Sequence, residues 1–358
     1  MPSCARSEII DPQVVGVYHC WSRCVRRAFL CGKDPISHKD YSYRRIWIYE
    51  MQQRLAGLFA IEIGFRSEMA NHIHVVVRTR PDVVKKWSDR DVVVRWLTAT
   101  KLAKSRDGVV RPPEELAIAA ELRKPGRVDE LRKRLSHPSW FMGILSEYIS
   151  RRCNQEDECT GAFWDGRYKC RDLADEAAIL ICGIYVDLNQ IRAGEATTPE
   201  SSLHTSAYDR IVSRQQQRGN GVAQGDLTAR SEAPDAWMCE LTLDQRMAVN
   251  DPRCVSSASR RRASDKGLLS ITLDDYLQLL DASGRIVRDD KSGVIPEHLS
   301  PILDRLGIRA EMWSAVVKGY DQLFGHVVGA TSEVTRRAAA AGRRWRRGIT
   351  ACNAVFSN

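Results

Sequence analysis

The chain has 358 residues, with 54 Lys and Arg against 45 Asp and Glu, a formal net charge of +9 and a mean hydropathy of −0.36. No run of about 18 consecutive apolar residues occurs, so no membrane-spanning helix is expected, and residues 1–11 lack the basic-then-apolar pattern of a secretory signal. The basic balance favours a polyanionic partner, because each cation seated on a phosphate releases condensed counterions. The 11 cysteines are odd in number, and Cys153, Cys159, Cys170 and Cys182 are too evenly scattered for a zinc ribbon. They predict buried, reduced thiols in a cytoplasmic protein and not a disulfide framework or a zinc ribbon.

In chain order, residues 14–25 are β-branched and aromatic with period-two alternation, which predicts a strand. Residues 43–59 place Ile46, Ile48, Met51, Leu55 and Leu58 at helical spacing. Residues 60–66 alternate as a second strand, 67–71 read as a turn, and 73–79 as the returning strand of a hairpin. Helices are predicted over 91–104 and 138–154, separated by a charged insert at 106–134. Residues 162–173 are aromatic, basic and extended. Residues 175–192 form a very apolar helix, with Asp175 and Glu176 suited to its start and Gly194 to its stop. This order predicts an α+β fold, a ferredoxin-like antiparallel sheet covered by helices.

After residue 210 the composition changes. Residues 211–266 are expected to be a flexible linker, on the strength of the polar, Gly- and Gln-rich stretch 214–231, and they include the basic run Arg260, Arg261 and Arg262. Helical spacing returns at 271–280, 299–306 and 312–324, predicting a small helical C-terminal domain over 267–358. It ends in a basic tail where Arg336, Arg337, Arg343, Arg344, Arg346 and Arg347 surround Trp345.

Three segments carry candidate chemistry. The first is His72-Ile73-His74. On a strand, side chains two apart share a face, so both imidazoles reach one divalent ion while Ile73, Val75 and Val77 face a core. An isolated pair of this kind is more often two ordinary polar residues. The second is residues 184–194, where Tyr185 and Asn189 sit one helical turn apart; the bland alternative is a core tyrosine with a satisfied hydroxyl. The third is residues 163–171, which interleave Phe163, Trp164 and Tyr168 with Arg167, Lys169 and Arg171. Rings that stack on bases beside cations that hold phosphates suit single-stranded nucleic acid. A solvated edge strand accounts for this composition equally well.

Taken together, residues 14–210 resemble the HUH single-strand DNA transposases, in particular the REP-associated and related single-tyrosine transposases. His72-Ile73-His74 matches the His-hydrophobic-His motif, preceded by Met69-Ala70-Asn71. Tyr18-His19 and Ser22-Arg23 resemble the first-strand motif, residues 163–169 the Trp-x-Gly-Arg-Phe-Lys segment, and residues 185–194 the Tyr-x-x-x-Asn-Pro-x-Arg-Ala-Gly block, with Gln190 in place of Pro. The resemblance implies Tyr185 as nucleophile, with Mg²⁺ or Mn²⁺ held by His72, His74 and Asn189. It implies nucleic-acid contacts from Arg23, Trp164, Arg167, Lys169, Arg171 and Arg192, to which the tail adds Arg343 and Arg344. The implied partner is single-stranded DNA or a DNA hairpin, with no membrane, a nucleoid-associated location and a homodimer left open. Two rivals stand beside it. One is a hairpin-binding protein in which the chemistry is dispensable. The other is an unrelated α+β protein whose histidines bind a structural or hydrolytic metal, with Tyr185 distant from them.

Overall fold

A computed structural model describes residues 5–25, 31–34, 38–219, 232–243, 251–252, 256–257, 259–287, 303–304, 306–344 and 347–356. It is a mixed α+β structure. Strand β1 (Val17–Arg23) leads to helix α1 (Arg44–Leu58) and the hairpin of β2 (Ile61–Glu68) and β3 (His72–Thr79). Helices α2 (Asp89–Lys104), α3 (Glu115–Leu122), α4 (Arg127–Leu135) and α5 (Pro138–Glu156) precede β4 (Lys169–Leu173) and α6 (Glu176–Asp187). The sheet order is β2-β3-β1-β4-β5, where β5 is the short edge strand Val327–Val328. β1, β2, β3 and β4 pair antiparallel, and β5 runs parallel to β4. The expectation of a purely antiparallel sheet is corrected here: the region after residue 267 donates a parallel edge, which removes the exposed edge that β4 would otherwise present.

The two faces of the sheet have separate cores. Tyr18, Cys20, Ile61, Ile63, Ile73, Val75 and Val77 face Ile48, Met51 and Leu55 of α1, Val92 and Trp96 of α2, and Phe141 and Leu145 of α5. The insert belongs to this side, since Ile118, Leu131 and Leu135 are buried in the same core. The other face, with Val17, Phe65, Val76 and Leu173, packs on α6 and on residues from 239 to 356. A β-bulge between Ile63 and Phe65 changes the alternation of β2, which is why Phe65 lies on this second side.

Every described residue of α6 but Glu176 is buried, as a helix apolar all round must be. Its N-cap is Asp175, whose side chain accepts from the Ala178 amide at 2.8 Å. The single helix expected over 175–192 is interrupted at Leu188, and a one-turn helix Asn189–Arg192 follows. Gly194, at φ +71°, closes it as expected.

The C-terminal helices α7 (Leu273–Val287), α8 (Trp313–Leu323), α9 (Thr331–Ala340) and α10 (Ile349–Val355) share the second core with α6 instead of forming a separate body. The linker expectation over 211–266 is likewise revised where residues are described. A helix over Ser206–Gly219 runs into it, and Trp237, Met238 and Cys239 are buried. Residues 220–231, 244–250 and 253–255 lie outside the described residues, as do most of the helix expected at 299–306 and Trp345 with Arg346 of the tail. Among the described residues no helix is long and apolar enough to cross a membrane.

Candidate active site

The antiparallel registers decide which side chains meet. Across β1 and β3, Arg23 stands opposite His72, Trp21 opposite His74 and His19 opposite Val76. Across β1 and β4, His19 stands opposite Arg171 and Trp21 opposite Lys169. Directly opposed residues share a face, so one patch of the second face gathers His19, Trp21, Arg23, His72, His74, Lys169 and Arg171. Above it lies the last turn of α6, with Tyr185.

The imidazoles are in contact. His19 Nε2 and His74 Nδ1 are 2.8 Å apart in a buried hydrogen bond, one donating and the other accepting according to tautomer. The His72 and His74 ring centroids are 4.8 Å apart, and His72 Nδ1 lies 2.6 Å from Asn71 Oδ1. Tyr185 meets His74 edge-on at 5.6 Å and His19 at 5.9 Å between centroids. The rival in which Tyr185 lies far from the histidines does not fit this geometry.

Burial sets the protonation states. It holds His19 and His74 well below the ordinary imidazole range, in His19 aided chiefly by the Arg171 charge. His72 is lowered to about 4 by burial and by Arg23, against the opposing pull of Asp321. All three are therefore neutral at pH 7, the form in which a ring nitrogen ligates a metal. His74 Nε2 and His19 Nδ1 are buried without a hydrogen-bond partner, which is costly in a folded protein unless function uses the atom.

These donors fit a divalent ion in part. His72 and His74 are two neutral nitrogen donors, and the buried Nε2 of His74 is uncommitted. Asn189 is buried, and its amide nitrogen also lacks a partner, but no hydrogen bond joins it to either histidine. Among the described residues, no group of three or more His, Cys, Asp and Glu side chains stands at metal-holding spacing. Any ion held there would need oxygen ligands besides the two imidazoles, for which Asn189, water or a substrate phosphate are candidates.

Four participants were not singled out as site residues from the sequence. His19 and Trp21 join once the β1–β3 register is known; their centroids are 4.8 Å apart, stacked. Tyr320 and Asp321 arrive from α8. Tyr320 stacks on Tyr185 at 4.5 Å, and the Tyr185 hydroxyl donates a hydrogen bond to Asp321 Oδ2. Burial, and then the Asp321 charge, push the Tyr185 phenol far up, while Arg192 and Arg171 pull it down. The α8 sequence carries no local mark of this role, because Tyr320 fits its apolar helical spacing and Asp321 is an ordinary helix-surface residue.

The cations expected to contact nucleic acid fall into three groups. Arg23, Arg167 and Lys169 are exposed, and Arg23 and Lys169 border the histidine patch. Arg171 is buried: it pairs with Asp321 at 3.2 Å, and its guanidinium lies 4.9 Å from the Tyr320 ring. Arg192 lies 5.3 Å over the Tyr185 ring and donates to the Lys318 carbonyl at 3.0 Å. Both therefore brace the site. Trp164 is placed elsewhere. It packs on the first core, and its indole N–H donates to the Ser146 carbonyl at 2.9 Å, so it is not a base-stacking platform at the histidine patch. Arg343 is paired with Glu8, and Arg344 is exposed.

Comparison with protein-family models, with curated proteins and with solved structures yields no match for this chain.

Proposed function

We propose that this chain is a divalent-metal-dependent enzyme with a tyrosine nucleophile, a transposase of the HUH kind that cuts and rejoins single-stranded DNA at hairpin ends. One observation carries the reading: Tyr185 converges on the bonded pair of imidazoles, 5.6 Å from His74 and 5.9 Å from His19, with the Arg192 guanidinium over its ring. Displacement at phosphorus needs a nucleophile held against its electrophile's binding groups. The strand order supports the same reading, since β4-β1-β3-β2, all antiparallel, is the order of the ferredoxin-like sheet that the HUH resemblance implies.

In this reaction Tyr185 Oη attacks the phosphorus of a diester. The new O–P bond forms as the P–O3′ bond breaks, leaving a 5′-phosphotyrosine link and a 3′ oxygen that takes a proton from solvent. The phenolic proton passes to Asp321, which already accepts the hydrogen bond. Arg192 and Arg171 favour the phenolate that burial disfavours. His72 and His74, with Asn189, are the residues that would hold Mg²⁺ or Mn²⁺, which when bound would stabilise charge on the phosphate. The diester's energy stays in the phosphotyrosine, so rejoining by a 3′-OH needs no nucleotide cofactor.

A second reading, a hairpin-binding protein without chemistry, has one observation in its favour: Tyr320 covers the Tyr185 ring and Asp321 occupies its hydroxyl. Incubation with labelled single-stranded DNA from the flanks of its own gene, with Mg²⁺ or Mn²⁺ and then with chelator, separates the two. A metal-dependent, SDS-resistant protein–DNA adduct supports the enzyme. Tight hairpin binding with no adduct under any metal supports the binding protein.

A further inference from the structure

The basic run at 260–262 has no part in the site described above. On the opposite side of the sheet, α1, the end of α2 and the segment around Arg260 enclose a cleft of about 560 Å³. Gln53, Arg54, Thr98, Val109, Arg260 and Arg261 line it, and among the described residues no acidic side chain does. Among the described residues Arg54 and Arg260 form no ion pair. The acidic groups nearby on the same elements form no ion pair with either of them. Asp107 accepts from the Val109 amide at 2.9 Å, and Asp91 accepts from the Ser88 hydroxyl at 2.7 Å. Glu50, one turn before Arg54, forms no ion pair with it.

Two glycines let the chain approach closely at this cleft. Gly108 has φ +75°, and a Cβ there would stand 2.5 Å from Arg54 Nη1. At Gly57 a Cβ would stand 3.2 Å from the Arg260 carbonyl oxygen, so the glycine lets the segment lie on α1. Arg260 itself has φ +56°, a conformation that side-chain-bearing residues adopt rarely and at a cost. Behind the cleft, Arg95 stacks on Trp87 at 4.1 Å. Burial, and to a lesser degree the Arg260 charge, push Arg95 below the ordinary guanidinium value against the opposing pull of Asp91.

Arg54 and Arg260 carry like charges with no ion-pair partner among the described residues, and an anion entering the cleft between them is attracted by both. A guanidinium fork matches two phosphate oxygens at once. Two such forks on one open cleft suit a ligand with repeated phosphates better than a single small anion. Gln53 and Thr98 add hydrogen-bonding groups, and Val109, 67% exposed, offers apolar contact to a sugar. We infer that this cleft binds the phosphodiester backbone of nucleic acid, on the side of the sheet away from the histidines. The inference goes beyond the proposed function and stands or falls without Tyr185 chemistry.

The test is fluorescence anisotropy of the full chain with a labelled DNA hairpin and, separately, a labelled single strand, each titrated across a series of salt concentrations in chelator. Removing a phosphate contact lowers the slope of log K against log salt by about 1. The Arg54→Ala, Arg260→Ala double variant is expected to lower the slope by about two for whichever DNA form occupies the cleft. Val109→Glu, at an exposed rim position, is expected to weaken binding without disturbing the fold, which thermal melting checks. Arg90→Ala, which removes an exposed cation already paired with Glu115, should leave the slope unchanged. Wild-type slopes in both cleft variants, for both DNA forms, would overturn the inference. So would displacement of the DNA by inorganic phosphate as effective as that by unlabelled DNA, which would make the cleft a single-anion site.

Discussion

Two buried polar clusters lie on the sheet, and they are built by opposite rules. In the first, Arg78 donates to Glu62 at 2.6 Å and to the carbonyls of Gly267 and Lys266, each at 2.6 Å, while Arg80 donates to Ser264 at 2.6 Å. No side-chain nitrogen or oxygen of Glu62, Arg78 or Arg80 is left buried without a partner. In the second, His19 and His74 are as deeply buried, yet each keeps a ring nitrogen unpartnered, and the Tyr185 ring stands edge-on to both. A fully satisfied cluster explains itself as structure, because every group removed from water has regained a bond. A cluster with unmet donors and acceptors on a rigid sheet points to a ligand that supplies them.

Substitutions should affect the two clusters differently. The largest effect falls on the unsatisfied cluster: Tyr185→Phe is expected to slow adduct formation at least about a thousandfold, as loss of a nucleophile does, while urea unfolding changes by about 1 kcal/mol or less through the lost hydrogen bond to Asp321. Next, Arg78→Ala removes the shorter of the two guanidinium contacts of buried Glu62, leaving Arg80 at 3.5 Å and the Ser264 hydroxyl. Urea unfolding should show a loss of about 3–5 kcal/mol, with adduct formation per folded molecule unchanged.

The double variant His19→Leu, His74→Leu should be nearly neutral in stability, within about 1 kcal/mol, because it removes both members of a bonded pair and two unmet nitrogens; adduct formation should disappear. A loss as large as that of Arg78→Ala would mean that the histidines are structural. The smallest effect is in pH. Burial, then the charges of Arg66 and Arg45, lower His204 to about 4. The folded state therefore binds fewer protons than the unfolded one between the ordinary imidazole value and about 4. Stability is complete above that window and erodes as pH falls through it. His204→Gln should flatten the curve of unfolding midpoint against pH there.

Much of this was legible in the sequence because it is local. Alternation marked β1, β2 and β3, and His72-Ile73-His74 put both imidazoles on the face opposite Ile73. The helical pattern marked α1, α2, α5 and α6. What was not legible depends on long-range pairing. Nothing local pairs Val327–Val328 with β4, since a two-residue strand has no alternation to read. Trp237 sits in a polar region that reads as linker, and only the folded chain places it beneath Tyr49, 5.5 Å ring to ring. Trp164 looked like a stacking platform because its neighbours are aromatic and basic, but the bridge between Cys24 and Trp164 turns it to the first core. Asp321 reaches Tyr185 across 136 residues of chain, a distance at which spacing says nothing.

If Tyr185 is the nucleophile, trapping the adduct on a single-stranded oligonucleotide with Mg²⁺ or Mn²⁺, digesting it with protease and locating the modified residue by mass spectrometry should reveal it. A nucleotide phosphate is expected on Tyr185, and none when metal is chelated. Attachment at another residue, or DNA cut with no protein-linked product, would contradict that role.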